Sequence, residues 1–373
     1  MVAKNPFLCE KDHDIQFVVR NEGAYRGLSS LFPAASLSQI INIASICEKR
    51  KLYSSPYVYK VGYRGQQRLR SEVTQATKTL SKELGDSITY QTYQNYLNLA
   101  CDFRIMRRLP GAYSLHSYGL PLVAVAKWKE WAFSSCLSEN LSLVCYFIDR
   151  LLFEDGDYIV AVMELINDGV SGKASSILGC NMHDAVFSRL QERAKALEFD
   201  HSVRNFLLKK IDEYNKIKKI SDRSFRRTEL EYTVRRGWLQ ELGIVSNAFG
   251  GEIKFTERGK RLFEKLRKQR LDNSFFTDRI FSILSEVYDM RKLDLPSLIS
   301  ILEDSYKKLT NGHRTILETL VLVNAVLFST VPFFVGERSV ILSYLKRASL
   351  ESRTRLVLQS GYRTKDYYVK LKF

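Results

Sequence analysis

The alternation of apolar and polar residues changes its period twice between residues 225 and 265. Apolar residues first recur at helical spacing up to Leu242, which predicts a helix with one apolar face. Gly243 is the predicted end of this helix, because glycine enters the left-handed C-cap conformation without a steric penalty. Two short strands around a glycine-containing turn at 246–251 then predict a hairpin, and a second helix begins after Thr256.

An earlier stretch, residues 93–122, repeats this order with a hairpin that is one residue shorter. Ile105 occupies the position of Ile244, and Gly119 that of Gly259. Helix, strand, turn, strand, helix is the order of a winged helix, in which the helix before the hairpin, or wing, can lie in a DNA groove. The predicted fold is therefore mainly α with small β-hairpin wings. It consists of two tandem winged-helix domains, or three if the C-terminal part is a divergent copy.

Three domains are predicted along the chain. Residues 1–127 hold an N-terminal arm and the first winged helix, and residues 128–270 hold a connector helix and the second winged helix with an inserted basic helix. Residues 271–373 form a helical domain that ends in a hairpin around Gly361. The dipeptide Asp155-Gly156 predicts a turn. Helices are also predicted at 37–51, 66–83, 89–103, 128–153, 158–167, 175–196, 199–220, 276–288, 295–309, 315–328 and 339–348, and strands at 331–335, 353–359 and 366–371.

The net charge favours a polyanionic partner. The 373 residues carry 57 Lys and Arg against 41 Asp and Glu, a formal net charge of +16. Nucleic acid is a better match than a membrane, because no basic amphipathic tail stands out. One uncharged stretch, 319–336, reaches the length of a membrane span, but polar residues and a proline interrupt it, so no span is predicted. Alternatively, the positive net charge belongs to a basic soluble protein that has no polyanionic partner.

The cysteines and histidines argue against a disulfide framework and against a metal site. None of the six cysteines forms a CxxC pair, and no signal peptide is evident, so the chain is predicted to be reduced and cytoplasmic. Cys47, Cys101, Cys136 and Cys145 lie in apolar sequence and are predicted to be small core residues. The five histidines lack metal-ligand spacing. No metal or other cofactor is therefore predicted, and Mg²⁺ would enter only with a partner or a hidden nuclease site.

Polar residues on the predicted helices are candidate DNA contacts. Glutamine and asparagine can pair with adenine and arginine with guanine in the major groove, although the same residues are ordinary on a solvated helix face. The lysines of the inserted helix at 199–220 either follow a phosphate backbone or form a solvated charged face. The candidates are Gln66, Gln67, Arg68 and Arg70 at the start of one helix, Gln91, Gln94 and Asn95 before the first wing, and Arg226, Arg227, Arg235 and Arg236 before the second.

Several segments, in one order, resemble the DNA-recognition half of the FokI-type IIS restriction endonucleases. They are GQQRLRSEVTQATKTL, YLNLACDFRIM, FIDRLLFEDGDYIVAVMEL, EYTVRRGWLQELGIV and FTERGKRLFEKL. The resemblance covers residues 1–270 and implies three successive winged-helix-related subdomains. The first two would contact bases and phosphates, and the third would hold the nuclease. It also implies that an N-terminal arm and the starts of helices read the DNA sequence. In this chain those residues would be Asn5 and the helix residues named above.

The nuclease motif of that family is not found in this sequence. Its one (Asp/Glu)-x-Lys match, Glu252-Ile253-Lys254, lies on the predicted second wing with no Asp on an adjacent strand, so it is interpreted as a wing strand. The sequence therefore predicts a non-catalytic, sequence-specific double-stranded DNA-binding subunit of a prokaryotic restriction-modification system. A separate nuclease chain would contact its C-terminal domain. The alternatives are a metal-dependent endonuclease using Glu252 and Lys254, a winged-helix transcription regulator, and a protein-interaction scaffold.

Overall fold

The computed structural model describes residues 28, 36–49, 52–53, 78, 89–109, 112–116, 119–128, 130–132, 135–169, 175–196, 201–219, 223–247, 252–268, 280–289, 291–292, 316–317, 333–334, 347, 350–351, 356–360 and 367–371. These residues are mainly helical and include small antiparallel hairpins, as predicted. The helices are α1 (Leu37–Lys49), α2 (Tyr90–Asp102), α3 (Gly119–Trp128), α4 (Leu141–Asn167), α5 (Ser175–Ala196), α6 (His201–Lys219), α7 (Arg223–Glu241), α8 (Glu257–Lys268) and α9 (Ile280–Val287). The strands are β1 (Leu52–Tyr53), β2 (Met106–Leu109), β3 (Ala112–Leu115), β4 (Val245–Asn247), β5 (Ile253–Phe255), β6 (Arg291–Lys292), β7 (Ile316–Leu317), β8 (Phe333–Phe334), β9 (Leu356–Ser360) and β10 (Tyr367–Leu371).

Helix α4 is the packing centre of the fold. Asn140 is its N-cap and accepts a hydrogen bond from Leu143 N at 3.2 Å. Of its 27 residues, 22 are buried, because α4 packs against α3, α5 and α7. At 1.5 Å per residue the helix spans about 40 Å, so it can contact elements far apart in the sequence. Neither α4 nor any other helix in the described ranges is long and apolar enough to cross a membrane.

Of two predictions around α4, one is wrong and the other is confirmed in part. The helix predicted at 128–153 is divided, since α3 ends at Trp128 and α4 begins only at Leu141. The break predicted at Asp155-Gly156 is confirmed in part, because Asp155 takes the non-helical angles φ −133° and ψ 19° and α4 is kinked there. The chain resumes as a helix after the kink, and the Asp155 carboxylate is used in a buried ion pair.

Two units of similar build pack around α4. The first unit comprises α1, α2, the hairpin of β2 and β3, and α3, with β1 paired to β3. The second unit comprises α5, α6, α7, the hairpin of β4 and β5, and α8. Buried side chains from both units belong to one continuous core, which crosses the predicted domain boundary between residues 127 and 128.

The junction between helix and hairpin is the same in both units. Arg104 (φ 56°) and Gly243 (φ 66°) follow the helix end in the left-handed conformation. The next residue, Ile105 or Ile244, donates its N–H to the carbonyl five residues earlier, at 2.9 Å in each unit. The predicted helix end at Gly243 is therefore confirmed, with α7 stopping two residues before it.

The two hairpins also close in the same way. The carbonyl oxygen of Ile105 accepts from the backbone N eleven residues later (2.9 Å), and that of Ile244 accepts from the backbone N twelve residues later (3.0 Å). Gly119 and Gly259 lie directly against these two carbonyls, since a Cβ at either position would lie 2.1 Å or 1.9 Å from the oxygen. The predicted match of the two glycines and the longer second hairpin are confirmed.

The C-terminal part contains the predicted final hairpin. β9 and β10 pair antiparallel, with Leu356 opposite Leu371 and Ser360 opposite Tyr367. β10 also pairs with β7, so the helix predicted at 315–328 is wrong at Ile316–Leu317. β8 falls within the predicted strand at 331–335, and α9 falls within the helix predicted at 276–288. Most of the helices predicted at 66–83, 295–309 and 339–348 lies outside the described residues.

Candidate nucleic-acid interface

Helix α2 carries three of the predicted DNA contacts. Thr89 is the N-cap, and its hydroxyl accepts the backbone N–H three residues later at 3.2 Å. Gln91 is exposed and donates from Nε2 to Asn95 Oδ1 at 3.0 Å. Gln94 is half-buried, and its Nε2 has no hydrogen-bond partner. Gln94 Nε2 is itself buried, so on α2 the exposed Gln91, with its partner Asn95, is the pair that a base edge could reach.

The first hairpin adds two arginines that the sequence analysis missed. Arg108 is exposed on β2, donates to Asn98 Oδ1 on α2 and has its guanidinium 5.7 Å from the centroid of the Tyr113 ring. Arg107 donates from Nε to Ser114 Oγ at 2.9 Å, across the hairpin. The signal in the sequence was the arginine pair in the strand MRRL next to the turn. Arginines at this place can contact phosphate oxygens beside a groove.

His116 lies beside the first hairpin and close to three arginines. Burial, and to a smaller extent Arg104, Arg107 and Arg150, lower the pKa of His116 to about 4. His116 is therefore neutral at physiological pH.

Helix α7 places its predicted contacts in different environments. Arg226 and Arg227 belong to the helical backbone, and their side chains are outside the described ones. Arg236 is half-buried, and its Nε has no hydrogen-bond partner. Gln240 donates from Nε2 to Asn247 Oδ1 on β4 at 2.8 Å. The helix and its hairpin are thus joined by a polar contact, as in the first unit.

Arg235 lies in the core, so its predicted place on the polar face of α7 is wrong. Its side chain is 0% exposed, and it donates from Nε and Nη2 to the two Asp155 carboxylate oxygens at 2.6 and 2.8 Å. Asp155 also accepts Leu28 N at 2.8 Å. Burial disfavours the charged guanidinium, but Asp155 and, more weakly, Glu231 outweigh that penalty and raise the pKa of Arg235. Arg235 holds α7 against α4 and is not available to DNA in this position.

Other candidate contacts are only partly described. The structure describes α6, where Lys209 and Lys216 are exposed and Lys210 pairs with Glu213 at 3.1 Å. The remaining predicted contacts lie outside the described residues, and these are Asn5, Gln66, Gln67, Arg68 and Arg70.

The cysteines in the described part of the chain form no disulfide bonds with one another. Cys47 and Cys145 are buried, as predicted, but Cys136 is exposed, so the prediction of a core position is wrong there. Cys136 precedes the 3₁₀ turn that separates α3 from α4, where the sequence predicted an unbroken helix. Burial raises the pKa of the Cys47 thiol to about 12, which keeps it protonated.

The residues of the (Asp/Glu)-x-Lys motif are paired with each other. Lys254 Nζ lies 2.9 Å from Glu252 Oε2, and both side chains are exposed on the second hairpin. A nuclease site would need further carboxylates beside them to hold a divalent ion. Within the described ranges, no group of three or more His, Cys, Asp or Glu side chains is placed to hold a metal ion.

Asp102, the last residue of α2, is expected to destabilise the fold when it is ionised. Burial raises its pKa to about 6, with Arg108 opposing and Asp155 reinforcing the shift, and its Oδ2 has no hydrogen-bond partner. The negative end of the helix dipole adds to the penalty. Because the folded pKa exceeds the unfolded value of 3.8, the penalty is absent below about pH 4 and complete above about pH 6.

Asp102→Asn is therefore expected to raise the free energy of unfolding by about 1–2 kcal/mol at pH 7.5 and to leave it nearly unchanged at pH 4. Urea denaturation of both proteins at the two pH values measures this difference. Asp289→Asn is the control, because the exposed Asp289 is paired with Arg261, which lowers its pKa. An equal effect of Asp102→Asn at both pH values would contradict the assignment.

Comparison with known proteins found no matching family model, no similar curated protein and no similar solved structure. What can be said about function therefore comes from the geometry of the two units, from the charge of the chain and from the sequence.

Proposed function

We propose that this chain binds double-stranded DNA sequence-specifically through two tandem winged helices. The observation that carries the proposal is the repeated unit, in which a helix, a left-handed residue, a hairpin and a second helix recur with the same backbone hydrogen bonds. A winged helix can place the helix before its hairpin in the major groove. In this chain α2 and α7 hold that position.

The charges and amides around these two helices support the proposal. The net charge of +16 would supply phosphate contacts, which provide most of the affinity and set the register on the duplex. Gln91 and Asn95 on α2 are suited to read adenine edges, and Arg236 on α7 is suited to read guanine. Arg108 on the first hairpin would contact a neighbouring phosphate.

Within this proposal the chain is the recognition subunit of a type II, IIS-like restriction system in the cytoplasm. The support is the resemblance of residues 1–270 to the recognition half of FokI-type enzymes. A separate nuclease chain would bind the C-terminal domain and would supply the Mg²⁺ site. The mutual pairing of Glu252 and Lys254 gives no support to cleavage by this chain.

Selection from a random duplex pool at about 150 mM salt is expected to enrich one short asymmetric site. Incubation of the same protein with Mg²⁺ and plasmid is expected to leave the DNA uncut. Binding without an enriched sequence would contradict sequence-specific binding of DNA. Cleavage of the plasmid would identify the chain as a nuclease. No binding even at 50 mM salt would overturn the proposal in favour of a protein-interaction scaffold.

Variants separate phosphate contacts from base contacts at the enriched site. Arg108→Ala is expected to weaken binding to all sequences alike and to reduce the slope of log K against log salt by about 1. Asn95→Ala is expected to relax the preference at one base pair by about 1–3 kcal/mol. Arg347→Ala is the matched control, since it removes an exposed arginine that is paired with Glu351 in the C-terminal part.

A further inference from the structure

Glu241 connects the two units although it belongs to only one of them. It is the last residue of α7, yet its carboxylate lies at the N-terminus of α1, more than 200 residues earlier in the chain. Oε1 accepts Leu37 N at 3.3 Å, and Oε2 accepts Ser38 N at 3.1 Å. The hydroxyls of Ser36 and Ser38 also donate to Oε2, at 3.1 and 3.2 Å.

These contacts satisfy groups that a helix cannot satisfy by itself. The first N–H groups of a helix lack partners within it, and that end carries partial positive charge. Ser36 already caps α1 locally, because its hydroxyl accepts Gln39 N at 3.4 Å. Glu241 accepts two further N–H groups of the first turn with a negative charge. The start of α1 is thereby tied to the end of α7.

The repeat shows that a single unit does not need this acid for its own fold. Asp102 ends α2 as Glu241 ends α7, since each stands two residues before the left-handed residue. The Asp102 carboxylate caps no described helix, and its Oδ2 has no hydrogen-bond partner. An acid at this position thus acts as a bridge in one unit only.

Two other buried contacts hold the two units together. Phe103, which follows α2, packs edge-to-face on Trp238 of α7, with ring centroids 5.5 Å apart and both side chains fully buried. Arg235 of α7 is bound to Asp155 of α4, as described above. Side chains from both units and from α4 therefore hold α2 and α7 at one relative position.

We infer that Glu241 is a positioning residue that, through α1, fixes the first unit and its helix α2 relative to α7, so that the chain reads one DNA site with a single spacing between its two halves. The second clause rests on the proposed function. One inserted base pair moves half of the site by about 3.4 Å and rotates it by about a tenth of a turn. A rigid pair of helices cannot follow this displacement and keep all of its base contacts.

The rigidity can be measured without DNA. Spin labels on ketone-bearing unnatural residues at the exposed positions Gln91 on α2 and Glu229 on α7 leave the native cysteines unlabelled. Wild type and Asp102→Ala are expected to give one narrow distance distribution, and Glu241→Ala a broader one. Glu241→Gln keeps an accepting oxygen and is expected to resemble wild type more than the alanine variant does. A broad distribution in wild type, or equal widths for Glu241→Ala and Asp102→Ala, would overturn the inference.

The consequence for DNA is measured with the enriched site and with versions carrying one or two extra base pairs between its halves. Wild type and Asp102→Ala are expected to lose about tenfold or more in affinity for each insertion. Glu241→Ala is expected to bind the original site more weakly and to lose less on insertion. Equal binding of all spacings by wild type would refute the single-spacing inference. Failure of wild type to bind any DNA, combined with a narrow distance distribution, would reject the proposed function and leave the positioning role intact.

Discussion

Replacing Asp155 with alanine is expected to lower the free energy of unfolding by about 3–5 kcal/mol. Asp155 and Arg235 are both 0% exposed, and two hydrogen bonds of 2.6 and 2.8 Å join them. Removing the carboxylate leaves a buried guanidinium whose remaining carboxylate, Glu231 Oε2, lies 3.8 Å away, and it also leaves Leu28 N without its acceptor. Urea denaturation followed by circular dichroism measures the loss.

Two further variants show whether the loss comes from the unpaired charge. Asp155→Ala combined with Arg235→Met removes both charges, and such replacements of buried pairs are often neutral. The double variant is therefore expected to recover most of the lost stability. Asp289→Ala breaks the exposed pair with Arg261 and is expected to cost less than about 1 kcal/mol. A loss below about 1 kcal/mol for Asp155→Ala would show that the pair does not hold α7 on α4.

Gly259→Ala is expected to lower the free energy of unfolding by about 3 kcal/mol, at the upper end of ordinary overpacking costs. Its Cβ would lie 1.9 Å from the carbonyl oxygen of Ile244, which already accepts Thr256 N at 3.0 Å. A backbone carbonyl cannot turn aside as a side chain can, so α8 has to move away from the hairpin. Gly119→Ala is expected to act in the same way, because its Cβ would lie 2.1 Å from Ile105 O.

Gly237→Ala is the matched control for this steric effect. Gly237 lies inside α7, and a Cβ there would meet no atom within 4 Å. Because glycine inside a helix is less favourable than alanine, this change is expected to stabilise the protein by about 0.5–1 kcal/mol. Thermal and urea denaturation of the three variants give the comparison. Similar shifts for Gly259→Ala and Gly237→Ala would contradict the close packing at the hairpin.

Local sequence patterns were sufficient for most of the fold in the described ranges. Helix α5 has the predicted bounds, and the repeated end of helix and start of hairpin was visible in the matching positions of Ile105 and Ile244. These features depend on contacts between near neighbours, so their signals lie close together in the sequence. At Asp155-Gly156 the local signal predicted a turn and the chain is kinked there, but the buried partner of the Asp155 carboxylate, Arg235, could not be predicted from local sequence.

The residue types of the candidate interface could be predicted from the sequence, but the burial of each side chain could not. Gln91, Gln94 and Asn95 lie along the polar side of α2, where the helical period placed them. Arg235 follows the same kind of pattern on α7 and is nevertheless buried, because α4 brings Asp155 to it from 80 residues away. The sequence contains no local sign of such a partner.

Helix positions, the hairpins, the excess of positive charge and the internal repeat can therefore be read from the chain alone, since each depends on composition or on short-range periodicity. Which charges face solvent and how the two units are joined depend on contacts between distant residues. The carboxylate of Glu241 meets the first turn of α1 across more than 200 residues, whereas Asp102, at the matching position of the other unit, caps no described helix. Acids at matching positions thus have unequal roles, because packing around α4 brought only one of the two to a helix N-terminus.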